Sequence, residues 1–200
     1  MESNNMVKFA KILDKVAQIA IKVFLIVSIV CVVFAVLVMI LGEAMVEKGS
    51  FVLELDFVKI HLAEEYQDFT PLMQGHTVLG LLTVAVLTFC VQYGFRILCR
   101  ILTPMKEGKP FAEETPINIG KMAWLIFIGG TIMQVLGVAG QVLLLIALPM
   151  DQVFASPAIS SLDFHFKIDL GFVFTFLLLR LTAYVFAYGQ KLQKESDETL

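Results

Sequence analysis

The chain has 200 residues, of which 58% are hydrophobic and only 16% charged, with a mean hydropathy of +0.83. Soluble domains run at about 45–50% apolar and about 25% charged, so a soluble globular fold is excluded and an integral membrane protein is implied. The formal net charge of -3 says less than its distribution along the chain, and no direct nucleic-acid binding is expected.

Four apolar runs, at about 19–41, 78–102, 122–148 and 170–188, each supply the ~20 residues that cross a bilayer as helix. They predict one α-helical membrane domain over 1–200, a four-transmembrane-helix bundle. Its loops are expected at 43–76 and 150–168 on one side and 103–121 on the other, with a tail at 189–200. The first run is too long for a signal-peptide core, and GEAMVEKG after it lacks a small-residue cleavage pattern, so it is read as an uncleaved span. Lys8, Lys11, Lys15 and Lys22 sit at the start of span one, and Arg96, Arg100, Lys106, Lys109 and Lys121 lie between spans two and three. By the positive-inside rule both termini are expected to be cytoplasmic.

From Val7 the chain reads as an amphipathic lead-in, with Phe9, Ile12, Leu13, Val16 and Ala20 on one face and lysines on another. The next segment, Ser50 to Leu62, alternates as a strand does, with Phe51, Leu53 and Leu55 against Glu54 and Asp56. The phase slips near Phe57, where a bulge is expected. Leu162, Phe164, Phe166 and Ile168 alternate in the same way in the other outer loop. The two stretches together predict a small extracytoplasmic β-cap. His61, His76 and His165 are scattered through these loops, and their spacing names no metal site. Cys31, Cys90 and Cys99 fall in spans or at span ends, which implies no disulfide framework.

Span two carries Gln92 in its inner half. In the loop after it, Glu107 to Pro110 reads as a turn, Phe111 can tuck against helix ends, and Thr115-Pro116 reads as a helix start. Span three places Gly130, Gln134, Gly137 and Gln141 four, three and four apart, one face of small and amide side chains suited to a helix contact or to a second copy of the chain. Span four places Arg180 about halfway along. A guanidinium there costs about 2.5–3.5 kcal/mol and needs a partner. Gln134, Tyr184, Gln92 and Gln141 are the polar candidates for a cluster around it, as register-fixing staples or as the lining of a pocket. No paired acids, Ser/His pair or metalloprotease motif is present, so no enzyme activity and no cofactor are expected.

The ending VFAYGQKLQKESDETL and the loop KEGKPFAEE resemble a bacterial four-span membrane family known as domain of unknown function 2975. The residues that carry the resemblance are Gly108, Pro110 and Phe111, then Tyr188, Gly189, Leu192, Glu195 and Asp197; INIGKM departs from the more basic helix expected after the loop. Genes of that family sit beside a gene for a very small helix-turn-helix regulator. The resemblance thus implies a bacterial inner-membrane protein whose cytoplasmic surface, built from those eight residues, binds such a regulator. The expectation is a membrane regulatory or sensor protein. The alternative is a small transporter or export/immunity component that uses the polar pocket around Arg180.

Overall fold

The computed structural model describes residues 2–46, 52–55, 58–61, 70–109, 111–147 and 169–198. Four long helices make up most of it: α1 (Glu2–Val46), α2 (Thr70–Lys106), α3 (Glu114–Ala147) and α4 (Gly171–Glu198). Each contains a segment long and apolar enough to cross a membrane, over Asn5–Leu41, Gln74–Lys106, Glu114–Leu143 and Gly171–Ser196. The chain is a multi-pass membrane protein.

The expected β-cap is corrected. Among the described residues the strands are β1 (Val52–Leu55) and β2 (Val58–His61), which pair antiparallel with each other from Val52↔His61 to Leu55↔Val58. The slip in alternation near Phe57 therefore falls between two strands of a local hairpin and is not a bulge in one strand. Closing so short a loop costs far less chain entropy than pairing with a stretch a hundred residues away. The second alternating stretch, 162–168, lies outside the described residues, and no cap is assembled among those that are described.

Within the expected 103–121 connection, α2 runs on to Lys106, and α3 begins at Glu114, one residue before the expected Thr115-Pro116 start. A Schellman motif ends α2. Gly108 sits at φ +77°, its N–H donates to Met105 O at 3.1 Å, and the Lys109 N–H donates to Pro104 O at 3.0 Å. Thr115 is not the N-cap. It lies inside the first turn of α3, where its N–H donates to Ala112 O at 3.0 Å and its buried Oγ1 has no partner among the described residues. Pro116 is tolerated there because the first-turn amides lack intrahelical acceptors anyway.

The helices divide into two compact units, residues 1–28, 86–134 and 168–200 in the first and 29–85 and 135–167 in the second. In the first unit, Ile97 and Ile101 of α2, Ile119 of α3 and Ala183 of α4 form a buried cluster, with Met105, Met122, Leu125, Leu179 and Phe186 packed against it. The α1 face that packs is Ala10, Asp14 and Ala17, all below 10% exposure, whereas Phe9, Ile12 and Val16 are more than half exposed. Lipid is as apolar as leucine, so burying large side chains between helices gains little, and small residues that permit close approach take the inside. In the second unit, Gln74 Nε2 ties α2 to α1 by donating to Val38 O at 2.6 Å and Met39 O at 3.0 Å.

Gly108→Val forces a β-branched residue into the left-handed region, which costs about 1–2 kcal/mol. Chemical unfolding of the purified protein in detergent is expected to show that loss, and Gly108→Asn a markedly smaller one.

Candidate functional site

Helices α3 and α4 run antiparallel in a register fixed by aromatic contacts. Phe127 packs against Phe172 and Phe176 with ring centroids 6.0 and 5.0 Å apart, and Trp124 lies 5.1 Å from Phe176. Gly130 faces Phe172 so closely that any Cβ there would collide with the ring. This accounts for one expected helix-packing glycine. The other, Gly137, has open space around it and lines a groove of about 240 Å³ in the second unit with His76, Gly140 and Gln141.

The same register takes apart the predicted cluster around Arg180. Arg180 lies beside Gly120, its Nη1 3.4 Å from where a Gly120 Cβ would stand, and its Nη2 donates to Tyr184 Oη at 3.0 Å. Its guanidinium also sits 5.1 Å from the Tyr184 ring centroid. Gln134 is instead at the start of α4, where its Oε1 accepts from the Asp169 N–H at 3.3 Å. Fourteen residues of α3 separate Gly120 from Gln134, about 21 Å along the axis at 1.5 Å per residue. Gln92 is buried on α2 at 1% exposure and its Nε2 has no hydrogen-bond partner among the described residues, while Tyr184 is 63% exposed. Gln141 belongs to the second unit. Of the predicted members in the first unit, the pair that meets among the described residues is Arg180 and Tyr184. Counting from the middle of apolar windows placed Arg180 at mid-membrane, whereas its neighbour Gly120 stands at the beginning of the third apolar run.

A buried charged cluster that the sequence reading missed joins α1 to α2. Lys106 Nζ lies 2.8 Å from Asp14 Oδ2, and Gln18 Nε2 donates to the same oxygen at 2.9 Å. The Cys99 thiol also lies beside that carboxylate. Asp14 sits between Ala10 and Ala17 on the small-residue stripe of α1, and that placement was the available signal. A carboxylate on the stripe that meets other helices must find a cation there.

The residues of the family resemblance divide between two faces of α4. Phe111 packs on the Gly189 backbone, where an added Cβ would lie 2.7 Å from the ring, and its ring centroid is 5.6 Å from that of Phe186. Around this contact lies an open basin of about 580 Å³, lined by Lys109, Phe111 and Glu113 from the loop and Gln190, Gln193, Lys194 and Glu198 from α4. Tyr188 and Leu192 are exposed on the other side of α4, continuing a stripe through Leu181, Tyr184 and Val185. Glu195, on that side too, faces Lys191 at 3.8 Å. Gly108 serves as the helix terminator described above. Pro110 and the Asp197 side chain lie outside the described residues, as do the side chains of His61 and His165.

No group of three or more His, Cys, Asp or Glu side chains among the described residues is arranged to hold a metal ion.

Residues 57–200 match the family described as a protein of unknown function, DUF2975. Neither a search of curated proteins nor a search of solved structures returns a match.

Two outcomes test this geometry. With side-chain exposures of only 25% and 10%, the Lys106–Asp14 pair when broken by Lys106→Met leaves an uncompensated carboxylate, expected to cost on the order of 2 kcal/mol after allowance for partial solvation. Adding Asp14→Asn is expected to recover most of that loss in a double-mutant unfolding cycle. Arg180→Met removes one same-helix contact and is expected to change stability by less than about 1 kcal/mol in the same assay.

Proposed function

The chain belongs to the DUF2975 family, and from that premise we propose that it is a non-enzymatic membrane regulatory protein that binds a small soluble helix-turn-helix regulator in the Phe111–Gly189 basin. One observation carries this reading. The loop and the end of α4 interlock through a ring seated on a glycine, and the polar basin beside that contact draws its walls from both segments. Its lining offers Lys109 and Lys194 against Glu113 and Glu198, with the amides of Gln190 and Gln193 between them, chemistry suited to a polar protein surface. The Lys and Arg distribution supports a cytoplasmic position for the basin and both termini. The resemblance supports a bacterial inner membrane and a regulator partner encoded nearby. A sensor of this kind requires two states of the helices with different affinity for the regulator. The hairpin and the outer loops are the segments suited to receive the signal.

Tyr188 and Leu192 stand on the far side of α4 from Phe111 and are not assigned to the regulator. The transporter alternative has less to support it, since Arg180 stands beside Gly120 and away from Gln134.

Affinity purification of the full-length protein with the soluble product of the adjacent regulator gene tests the proposal. Wild-type protein is expected to retain the regulator, and Phe111→Ala or Lys194→Glu to lower retention by roughly tenfold, a loss of about 1.4 kcal/mol. Tyr188→Ala is expected to leave it unchanged. Undiminished retention by both basin variants, or no retention by wild type, overturns the assignment.

A further inference from the structure

A second polar cavity in the first unit shares no residue with the basin. It holds about 350 Å³ and is lined by Arg100 of α2 and by Glu114, Ile117, Asn118 and Lys121 of α3. Two cations on two helices face one niche that contains a single carboxylate, so one positive charge is in excess. Among the described residues the ion pairs are Lys106–Asp14 and Lys191–Glu195, and neither Arg100 nor Lys121 has a carboxylate within salt-bridge distance. Asn118, at 4% exposure, lines the niche. The niche thus presents two cations and the side chain of a largely buried amide residue.

The level of this niche along the helices fixes what reaches it. Phe24 stacks on Phe95 at 5.9 Å, Cys90 Sγ stands 3.5 Å from where a Gly129 Cβ would be, and Arg180 lies beside Gly120. Carried along the helices at 1.5 Å per residue, these contacts bring Lys22, Arg96, Arg100, Lys121 and Arg180 to within about one turn of a common level. Four of these cations, on α1, α2 and α3, stand near the ends of their apolar runs, where lipid phosphates lie. Trp124, one turn further along α3 and 50% exposed, has the amphipathic character favoured at that boundary. Ile117, 58% exposed on the niche wall, offers an apolar contact beside the charges.

We infer that the niche is a binding site for a phosphate group, supplied by the headgroup of an anionic phospholipid, with Arg100 and Lys121 pairing with its oxygens and the Asn118 amide donating from the floor. Arg100 presents a planar fork of donors and Lys121 a point charge, which together suit a tetrahedral oxyanion. Arg96 stands at the same level but not in the niche, and provides the internal control.

The test is native mass spectrometry of the full-length protein in detergent, titrated separately with phosphatidylglycerol, phosphatidylcholine and inorganic phosphate. One phosphatidylglycerol is expected to be retained in preference to phosphatidylcholine. Arg100→Gln/Lys121→Gln is expected to weaken its retention by roughly tenfold or more, and Arg96→Gln by no more than about twofold. Should the double variant fail to fold by circular dichroism, Asn118→Asp, which sets a negative charge on the floor of the niche, is expected to give the same loss. Equal retention of the two lipids, or equal losses from the niche variants and Arg96→Gln, overturns the site. Displacement of the lipid by inorganic phosphate at equal concentration assigns the niche to a free anion and overturns the lipid identity.

Discussion

The seating of Phe172 against Gly130 is the contact on which the first unit depends. A glycine at that point lets α4 lie close along α3, and the ring prevents the two helices from sliding past one another. With the register fixed there, Trp124 meets Phe176, Arg180 comes to Gly120, and the Gln134 amide reaches the backbone at the start of α4. Asp169 completes that helix start by accepting from the Gly171 N–H at 2.8 Å. Its carboxylate is thereby held at the positive end of the α4 dipole.

Polar contacts hold the first helix in place, because apolar surface discriminates weakly between a neighbouring helix and lipid. In the first unit, α1 presents Ala10, Asp14 and Ala17, and the Lys106–Asp14 pair supplies direction where alanine supplies only proximity. A carboxylate with one cation and one amide around it has few equivalent alternatives nearby, so α1 is fixed in rotation as well as in depth. Gln92 is the opposite case. Its Nε2 is buried without an acceptor among the described residues, and a group of that kind costs about 1–3 kcal/mol relative to a satisfied one.

The four helices could be read from the sequence because length and hydropathy alone separate spans from loops in a bilayer. The Phe111 turn and the termination at Gly108 were legible too, since glycine and proline constrain the backbone wherever they stand. Pairing between helices was not legible. Hydropathy gives depth only coarsely, and Arg180 stands at the level of Lys121, about four turns of α3 from the supposed centre. Asp14 escaped notice because it lies among lysines in a segment that reads as a solvated lead-in, and only the alanine spacing around it marks the packed side. The alternation at Ser50 to Leu62 gave strand character correctly. Alternation does not name a strand's partner, and the nearest strand in the chain took that place.

One consequence of α4 concerns mechanics. The helix runs without a break from Gly171 to Glu198, 28 residues, or about 42 Å at 1.5 Å per residue. It contains no proline, and its glycine at 189 is filled from outside by the Phe111 ring, so the place where the rod would bend most easily is braced. A change of tilt at the Asp169 end is therefore delivered to the basin as displacement and is not absorbed along the way. A rod of that length turned through a few degrees moves its far end by a few ångströms, comparable to the clearance between an aromatic ring and the backbone it rests on. Helix α4 is in this sense a lever, and Phe111 is the part it would lift.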